Sequence, residues 1–157
     1  SNSITNNVVN GAPRKSTSLM QDYSASLGTS FVNAPNVELG YRYNINQYKT
    51  GTVSSTFYTD RPFIKFDTAF LRNFIFLADY NYFNYRDKAG NVENKFGFLN
   101  ASLSYQKTDS KWEYSINATN LTNNQELNQD NYNDLFFTTS AYTVQPRYIV
   151  FKIRYEF

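Results

Sequence analysis

The sequence predicts an antiparallel all-β protein, and more narrowly a segment of a transmembrane β-barrel with about seven strands. Three observations support this prediction: an unusual composition, seven segments in which apolar and polar residues alternate, and connections that alternate between short and long. A transmembrane barrel has all three features, because its wall has one apolar face and joins its strands by tight turns at one end and longer loops at the other.

The composition combines aromatic residues with small neutral polar residues. Phe and Tyr occur 14 times each, aromatic residues make up 18% of the 157 residues, and charged residues also make up 18%, against about 25% in a typical soluble domain. Aromatic residues favour strands, whereas Asn, Ser and Thr are mediocre helix formers. The mixture suits a sheet with one apolar face and one hydrated face.

Several classes of chemistry are excluded by residue types that the sequence lacks. The chain has no Cys and no His, which excludes disulfide scaffolds, thiol catalysis and the usual zinc sites. A net charge of +2 is too small to argue for nucleic acid as a partner. We find no catalytic constellation, so the sequence predicts that the protein is not an enzyme and holds no cofactor.

The first two predicted strands flank a short connection at residues 32–36. From Tyr23 to Phe31, every second residue is apolar or Thr, and the residues between them are Ser and Gly. The second strand, Val37 to Tyr48, alternates most clearly, with Val, Leu, Tyr and Ile on one parity and Glu, Arg and Asn on the other. Pro35 lies in the connection, where a missing N–H breaks no ladder bond.

The third and fourth strands flank a three-residue turn at residues 71–73. Ile64–Phe70 carries apolar residues on one parity, whereas Phe74–Tyr82 is partly apolar on both. A three-residue turn that pairs the two flanking residues places Lys65 opposite Asp79. We therefore expect these two charges to fix the register of the hairpin.

The last three strands are predicted at Leu99–Tyr105, Trp112–Ala118 and Ile149–Phe157. In each strand, apolar residues occupy every second position, and the residues between them are Asn, Ser, Thr or charged, apart from Val150 in the last strand. The fifth and sixth are joined by a short connection at residues 108–111, whereas residues 121–145 precede the last strand.

The connection lengths keep a strict parity along the chain. The short connections at 32–36, 71–73 and 108–111 alternate with longer ones at about 49–61, 86–95 and 121–145. Tight periplasmic turns and long extracellular loops are typical of a transmembrane barrel. A soluble sandwich has no reason to keep this parity.

The apolar parities are expected to face lipid, and the polar parities a hydrated lumen. The charged residues predicted to face the lumen are Glu38, Arg42, Lys65, Asp67, Asp79, Glu113, Lys152 and Arg154. Aromatic girdles at the two membrane interfaces are expected to include Tyr41, Tyr43, Tyr80, Tyr82, Tyr105, Trp112 and Tyr148. Because the lumen-facing charges are of both signs, we interpret them as a balanced wall rather than as an acid–base site.

The end of the chain resembles the C-terminal strand of Gram-negative outer-membrane barrels. Those strands end on an aromatic residue with apolar residues at alternate positions, which here are Phe151, Ile153, Tyr155 and Phe157. The resemblance implies that these four residues are a signal read by the barrel-assembly machinery. Upstream, residues 115–123 and the Asn-rich loop after them resemble the penultimate strand of Bacteroidota TonB-dependent transporters, although Thr122 and Asn123 depart from the family's Asn-Leu-Phe-Asp-like end.

This resemblance implies a function and a set of partners. TonB-dependent transporters import scarce nutrients across the outer membrane of Gram-negative bacteria, driven by the inner-membrane proton gradient through TonB. The implied partners are the outer-membrane bilayer, the remaining barrel strands and plug (on another polypeptide or in preceding sequence), TonB through the plug, and a surface lipoprotein. The alternatives are a diffusion porin or small structural outer-membrane barrel without energy coupling, and a soluble all-β binding module.

Strand counting extends this interpretation. Bacterial single-chain barrels have an even number of strands, so seven strands are expected to form about a third of a 22-stranded plugged barrel. Residues 1–18 are then an extracellular, partly disordered lead-in, and residues 19–157 the barrel segment. Cleavage at an exposed loop tip or a split gene would produce such a chain. Alternatively, residues 1–18 hold an eighth strand that completes a small barrel.

Overall fold

The computed structural model describes residues 1–9, 12–132 and 137–157. All regular secondary structure in these ranges is β-strand. The strands are β1 (Asn2–Val9), β2 (Ala12–Gly28), β3 (Asn36–Thr50), β4 (Val53–Phe70), β5 (Phe74–Asp87), β6 (Glu93–Gln106), β7 (Trp112–Thr119), β8 (Glu126–Tyr132), β9 (Phe137–Thr143) and β10 (Tyr148–Tyr155). The described residues contain no helix long and apolar enough to cross a membrane. The prediction of an all-β antiparallel fold is confirmed.

Eight strands form one antiparallel sheet in the order β1-β2-β3-β4-β5-β6-β7-β10. The hairpin β8–β9 is a separate two-stranded sheet within the connection from β7 to β10. We call the end of the large sheet that holds connections 29–35, 71–73 and 107–111 the near end, and the opposite end the far end. The two edge strands, β1 and β10, do not pair with each other, so the sheet is open.

The large sheet has one strand more than the seven predicted. β1 pairs with Ala12–Leu19 of β2, so the segment expected to be a partly disordered lead-in is largely a β-hairpin. This eighth strand completes no barrel, because the sheet stays open. β1 pairs only with the part of β2 near the far end. In the rest of β2, residues Gln21–Gly28 pair with β3 on one side, and no described strand pairs with their other side.

Two connections predicted to be long loops are shorter than expected: most of 49–61 and half of 86–95 are strand. The strict alternation of short and long connections was therefore wrong, since the turn at 51–52 is shorter than the connection 29–35. β3 and β4 continue to a turn at residues 51–52, and β5 and β6 continue to a turn at residues 88–92. Gly51 and Gly90 have φ values of 55° and 78°, a conformation that tight turns use and that glycine adopts without a steric penalty. The strand extensions lack apolar alternation, so backbone ladders form where the side chains give little pattern.

The register of the third and fourth predicted strands is confirmed. Phe70 pairs with Phe74 and Lys65 with Asp79. In the turn between them, Leu71 and Arg72 have φ values of 50° and 62°, the left-handed conformation whose twist suits a hairpin. The turn therefore fixes the pairing that the sequence predicted.

Within the described residues, the large sheet is a single layer with almost no core of its own. Among the described residues, the only buried apolar side chains are Phe57 and Phe63, each 8% exposed. The accessible surface is 11174 Å², whereas a folded monomer of this size exposes about 8,100 Å². Since folded domains bury apolar faces between at least two layers, this sheet needs something else to cover its faces.

Candidate functional surfaces of the sheet

The register brings the apolar parities of all seven predicted strands onto one side of the sheet, the apolar face. Directly paired residues point to the same side, and each apolar parity pairs with the next across the ladders. On alternate residues the face comprises Tyr23–Leu27, Val37–Ile45, Ile64–Phe70, Phe74–Tyr82, Leu99–Tyr105, Trp112–Ala118 and Ile149–Tyr155. Local alternation in seven separate segments thus becomes one continuous surface.

The apolar face is a band that ends before the strands do. On β5 it runs from Phe74 to Tyr82, nine residues counting both ends, and a tilted strand needs about 9–11 residues to cross a bilayer. Beyond Tyr82, toward the far end, the same parity carries Asn84 and Arg86. Among the described residues, seven strands (β2–β7 and β10) carry the band, and β1 lies beyond its polar limit.

A polar cluster marks the limit of the band. The Tyr41 hydroxyl donates to Asp60 Oδ1, and Arg86 Nη1 lies 2.7 Å from Asp60 Oδ2, an ion pair by distance rather than an aligned hydrogen bond. Farther out, Lys95 Nζ lies 2.6 Å from Glu93 Oε1, and this contact raises the pKa of Lys95 above its usual value. Charged side chains therefore begin on this side of the sheet where the apolar residues stop.

The opposite side of the sheet, the charged face, holds all eight residues predicted to face a lumen. They are Glu38, Arg42, Lys65, Asp67, Asp79, Glu113, Lys152 and Arg154, and the ladder pairs place them on one side. Arg61 joins them opposite Arg42. Sequence reasoning missed Arg61 because the third strand was predicted to begin at Ile64.

Two cross-strand ion pairs form on the charged face. Lys65 Nζ lies 2.9 Å from Glu38 Oε2, and Arg154 Nε lies 3.4 Å from Glu113 Oε2. Lys65 thus lies opposite Asp79 in the register but forms its ion pair with Glu38 on the other neighbouring strand. Because these side chains are partly exposed to solvent, such pairs contribute little to stability and mainly set local geometry.

The carboxylates of Asp79 and Asp67 act as acceptors for amide side chains. Asp79 Oδ2 accepts hydrogen bonds from Asn81 Nδ2 at 2.9 Å and from Asn100 Nδ2 at 3.1 Å. Asp67 Oδ2 accepts one from Asn36 Nδ2 at 3.1 Å. Each bond is assisted by the carboxylate charge, so these acidic residues orient neighbouring amides on the charged face.

The charged face also carries an aromatic cluster that sequence reasoning missed. The Phe83 ring centroid lies 4.8 Å from that of Phe96 and 6.2 Å from that of Phe98. Nearby, Phe57 stacks on Tyr85 with 5.6 Å between centroids. These residues lie in the strand extensions, outside the predicted strands. The Phe-x-Phe spacing at residues 96–98 is the signal that could have revealed them.

A cavity of about 340 Å³ opens where the aromatic cluster meets the segment that leads into β10. Its walls include the rings of Phe83, Phe98 and Tyr148 and the amides of Asn81 and Asn100. Tyr148 was expected in an aromatic girdle on the lipid side, but its pairing with Thr119 places it on the charged face. That expectation was wrong because Tyr148 has the opposite parity to the apolar residues of β10.

The side chain of Asn120 links the two ends of the connection between β7 and β10 through hydrogen bonds. Its side chain is 2% exposed, and Nδ2 donates to the carbonyls of Asn124 at 2.8 Å and Gln145 at 2.9 Å. Its Oδ1 accepts from the Asn124 N–H at 3.1 Å. The Thr122 hydroxyl has one proton and lies closer to the Gly97 carbonyl, at 2.5 Å, than to Asn120 Oδ1, at 3.2 Å. Both N–H donors and the carbonyl oxygen of the Asn120 amide are therefore used.

The strand that resembles an assembly signal lies at the edge of the sheet. Phe151, Ile153 and Tyr155 of β10 lie on the apolar face and are exposed, and Phe157 follows beyond the strand. β10 pairs with β7 on one side, and among the described residues no strand pairs with its other side. The whole outer backbone edge of this strand is thus available for pairing.

Comparison with known proteins gave no match to any protein-family model, curated protein or solved structure. In the described part of the chain, no cluster of three or more acidic side chains is arranged to hold a metal ion. The features of the described residues that bear on function are therefore the two faces and the two open edges of the sheet.

Proposed function

We propose that this chain forms part of the barrel wall and the external loops of a TonB-dependent nutrient transporter in the outer membrane of a Gram-negative bacterium. The observation that supports the proposal most strongly is the apolar face, a continuous band with aromatic margins on a sheet that no second layer of the described residues covers. Lipid covers such a band in a transmembrane barrel.

The exposed surface fits this arrangement. The sheet exposes about 3,000 Å² more than a folded monomer of its size, and large apolar residues such as Leu39, Ile116 and Phe151 lie open on the apolar face. Soluble monomers rarely expose contiguous apolar patches beyond a few hundred Å². A bilayer removes this surface from water without any further protein layer.

The charged face suits the inside of the same barrel. It carries ion pairs, amides and hydroxyls, and the interior of a transmembrane barrel is polar. In this proposal the near end of the sheet faces the periplasm. The far end rises above the membrane, where the strand extensions and the connection 120–147 form the external loops.

The open edges support a wall shared with other strands. Gln21–Gly28 of β2 and the outer side of β10 present backbone groups that no described strand pairs. Unpaired backbone groups are not tolerated in hydrocarbon, so the remaining strands must come from another polypeptide or another part of the protein. A large barrel of this kind holds a plug, through which TonB would act, and a surface lipoprotein would bind from outside.

Channel recordings distinguish the proposal from its main alternative. The assembly that contains this chain is purified in mild detergent and inserted into a planar lipid bilayer. A plugged transporter is expected to insert without steady conductance and to open only when the plug is displaced by a denaturant such as urea. Steady conductance in the absence of denaturant would indicate a diffusion porin, and failure to insert would contradict both.

A further inference from the structure

The charged face contains one pair of like charges at directly opposite positions. Arg42 of β3 and Arg61 of β4 are cross-strand partners, with their Cβ atoms expected about 4.5–5.5 Å apart. Like charges in this arrangement destabilise a sheet. Elsewhere on this face, Glu38 opposite Lys65 and Glu113 opposite Arg154 follow the favourable rule.

In the described part of the chain, neither arginine has an ion-pair partner. The nearest acidic residues of this face on β2 and β3 have other partners: Asp22 Oδ1 accepts a hydrogen bond from Asn44 Nδ2 at 2.6 Å, and Glu38 is held by its cross-strand lysine. The two positive charges therefore lie adjacent without an ion-pair partner, and Glu38 interacts with Arg42 only at longer range.

Each guanidinium lies instead over a phenylalanine ring. Arg42 Cζ is 4.9 Å from the centroid of Phe63, and Arg61 Cζ is 4.6 Å from that of Phe83. Phe63 is fixed in turn, because its ring covers Gly40 so closely that a Cβ there would lie 2.1 Å from a ring atom. A guanidinium laid on a ring keeps N–H donors at its edge, so the rings hold both arginines in place without using all of their donors.

Small residues leave room beside the pair. Ser24 lies opposite Arg42 on β2, and Ser26 is the next residue of β2 on the same face. Arg42 itself is exposed and Arg61 is half-exposed. A ligand that reaches the charged face therefore meets the two guanidinium groups without a bulky side chain from β2 in front of them.

We propose that Arg42 and Arg61 form a subsite that binds the carboxylate or phosphate group of the transported ligand. The planar fork of a guanidinium can donate two N–H groups to two oxygens of a carboxylate or a phosphate group. A bound anion would also cancel the repulsion within the pair, which explains why an unfavourable pairing is kept. The inference rests on the proposed function, since the ligand reaches this face through the lumen.

The test uses the detergent-solubilised assembly, with citrate and inorganic phosphate as probes at constant ionic strength. Binding is measured by isothermal titration calorimetry, and stability by thermal unfolding without probe. The variants are Arg42→Gln, Arg61→Gln and the double variant. Arg154→Gln is the matched control, because it removes a charge of the same kind from the same face.

We expect each single variant to lower probe affinity by about tenfold and the double variant to abolish binding. Without probe, the unfolding temperature should stay unchanged or rise, because the repulsion has been removed, and Arg154→Gln should keep wild-type affinity. Unchanged affinity in the double variant would overturn the inference. The inference would also be overturned if the wild type bound neither probe and the variants unfolded at a lower temperature than the wild type. That result would mean that an acidic group elsewhere in the assembly neutralises the two arginines.

Failure of this inference is distinguishable from failure of the proposed function. An assembly that inserts into bilayers but binds neither probe contradicts only the anion subsite. An assembly that does not insert contradicts the transporter itself, whatever the arginines bind.

Discussion

At the scale of single residues, the two faces make opposite demands on neighbouring positions of β6. Leu103 lies between Phe76 and Ile116 within the apolar band, and Ser102 is its neighbour on the charged face. We expect Leu103→Arg to lower the free energy of unfolding in lipid by about 2–4 kcal/mol if it lies near the bilayer midplane, because a guanidinium would face hydrocarbon. Ser102→Arg would place its guanidinium on the charged face and should leave the free energy of unfolding nearly unchanged. Equal or reversed effects in reversible unfolding from lipid vesicles would contradict the membrane orientation.

Ile116 on the apolar face and Ser115 on the charged face are a second pair of neighbours for this comparison. Ser115 is a poorer control than Ser102 because its side chain is buried. Ser115 is 7% exposed, and its Oγ accepts a hydrogen bond from Asn117 Nδ2 at 3.3 Å. An arginine at Ser115 would therefore disturb packing on the charged face, whatever lies on the other side. Ile116→Arg remains a valid test of the apolar face, with Ser102→Arg as its control.

Asn120 tests how the long connection is held to the sheet. Asn120→Gly keeps the positive φ of 52° accessible but removes the side-chain hydrogen bonds with the backbone of Asn124 and Gln145. We expect a loss of about 1–3 kcal/mol, because carbonyl groups that the amide satisfied would lose a partner. Limited proteolysis should show faster cleavage within residues 120–147. A cleavage rate equal to that of the wild type would show that the amide does not fasten this connection.

At the scale of elements, the β4–β5 register can be checked by engineered cross-linking, since the chain has no Cys of its own. Lys65→Cys with Asp79→Cys should form a disulfide under mild oxidation, because directly paired residues lie within disulfide range. Lys65→Cys with Ile75→Cys lies on the same face but four residues out of register, so it should not. A cross-link only in the second pair would show a shifted ladder.

The elements that could be predicted from the sequence are those within the apolar band. The alternation around Leu39, Phe76 and Ile116 is a response to a surface that is apolar on one side, so it gives both the strands and their parity. Beyond the band the apolar side becomes polar, as the paired Asp60 and Asn84 show, while the other side carries the aromatic rings of Phe83 and Phe96. The apolar parity is therefore lost although the ladders continue. The extensions of β3–β6 were missed for this reason, and the pairing of β1 with Ala12–Leu19 of β2 was foreseen only as the alternative of an eighth strand.

The charged face was predicted as a surface but not in its details. Parity alone placed eight charged residues on one side, because parity is a local property of each strand. Which charge pairs with which depends on neighbours from two other strands, so Lys65 pairs with Glu38 although Asp79 is also opposite. The Arg42–Arg61 pair requires the register of β3 on β4, which an unpredicted extension of β4 supplies.

At the scale of the whole molecule, the central claim is that this sheet is part of a larger membrane-embedded wall. In the described residues the sheet has two unpaired edges, uncovered faces and almost no buried apolar side chains. The proposal would explain these features together, because lipid, a lumen and further strands would cover all of them. The isolated chain is therefore not expected to be a stable monomer in water.

The mass of the particle that contains this chain is the most direct test. Native mass spectrometry of the assembly released from detergent micelles should show the chain held with a larger set of strands, without covalent cross-links through Cys. We predict a particle several times heavier than 18.3 kDa. A monodisperse 18.3 kDa species that is stable in detergent-free buffer would contradict the account.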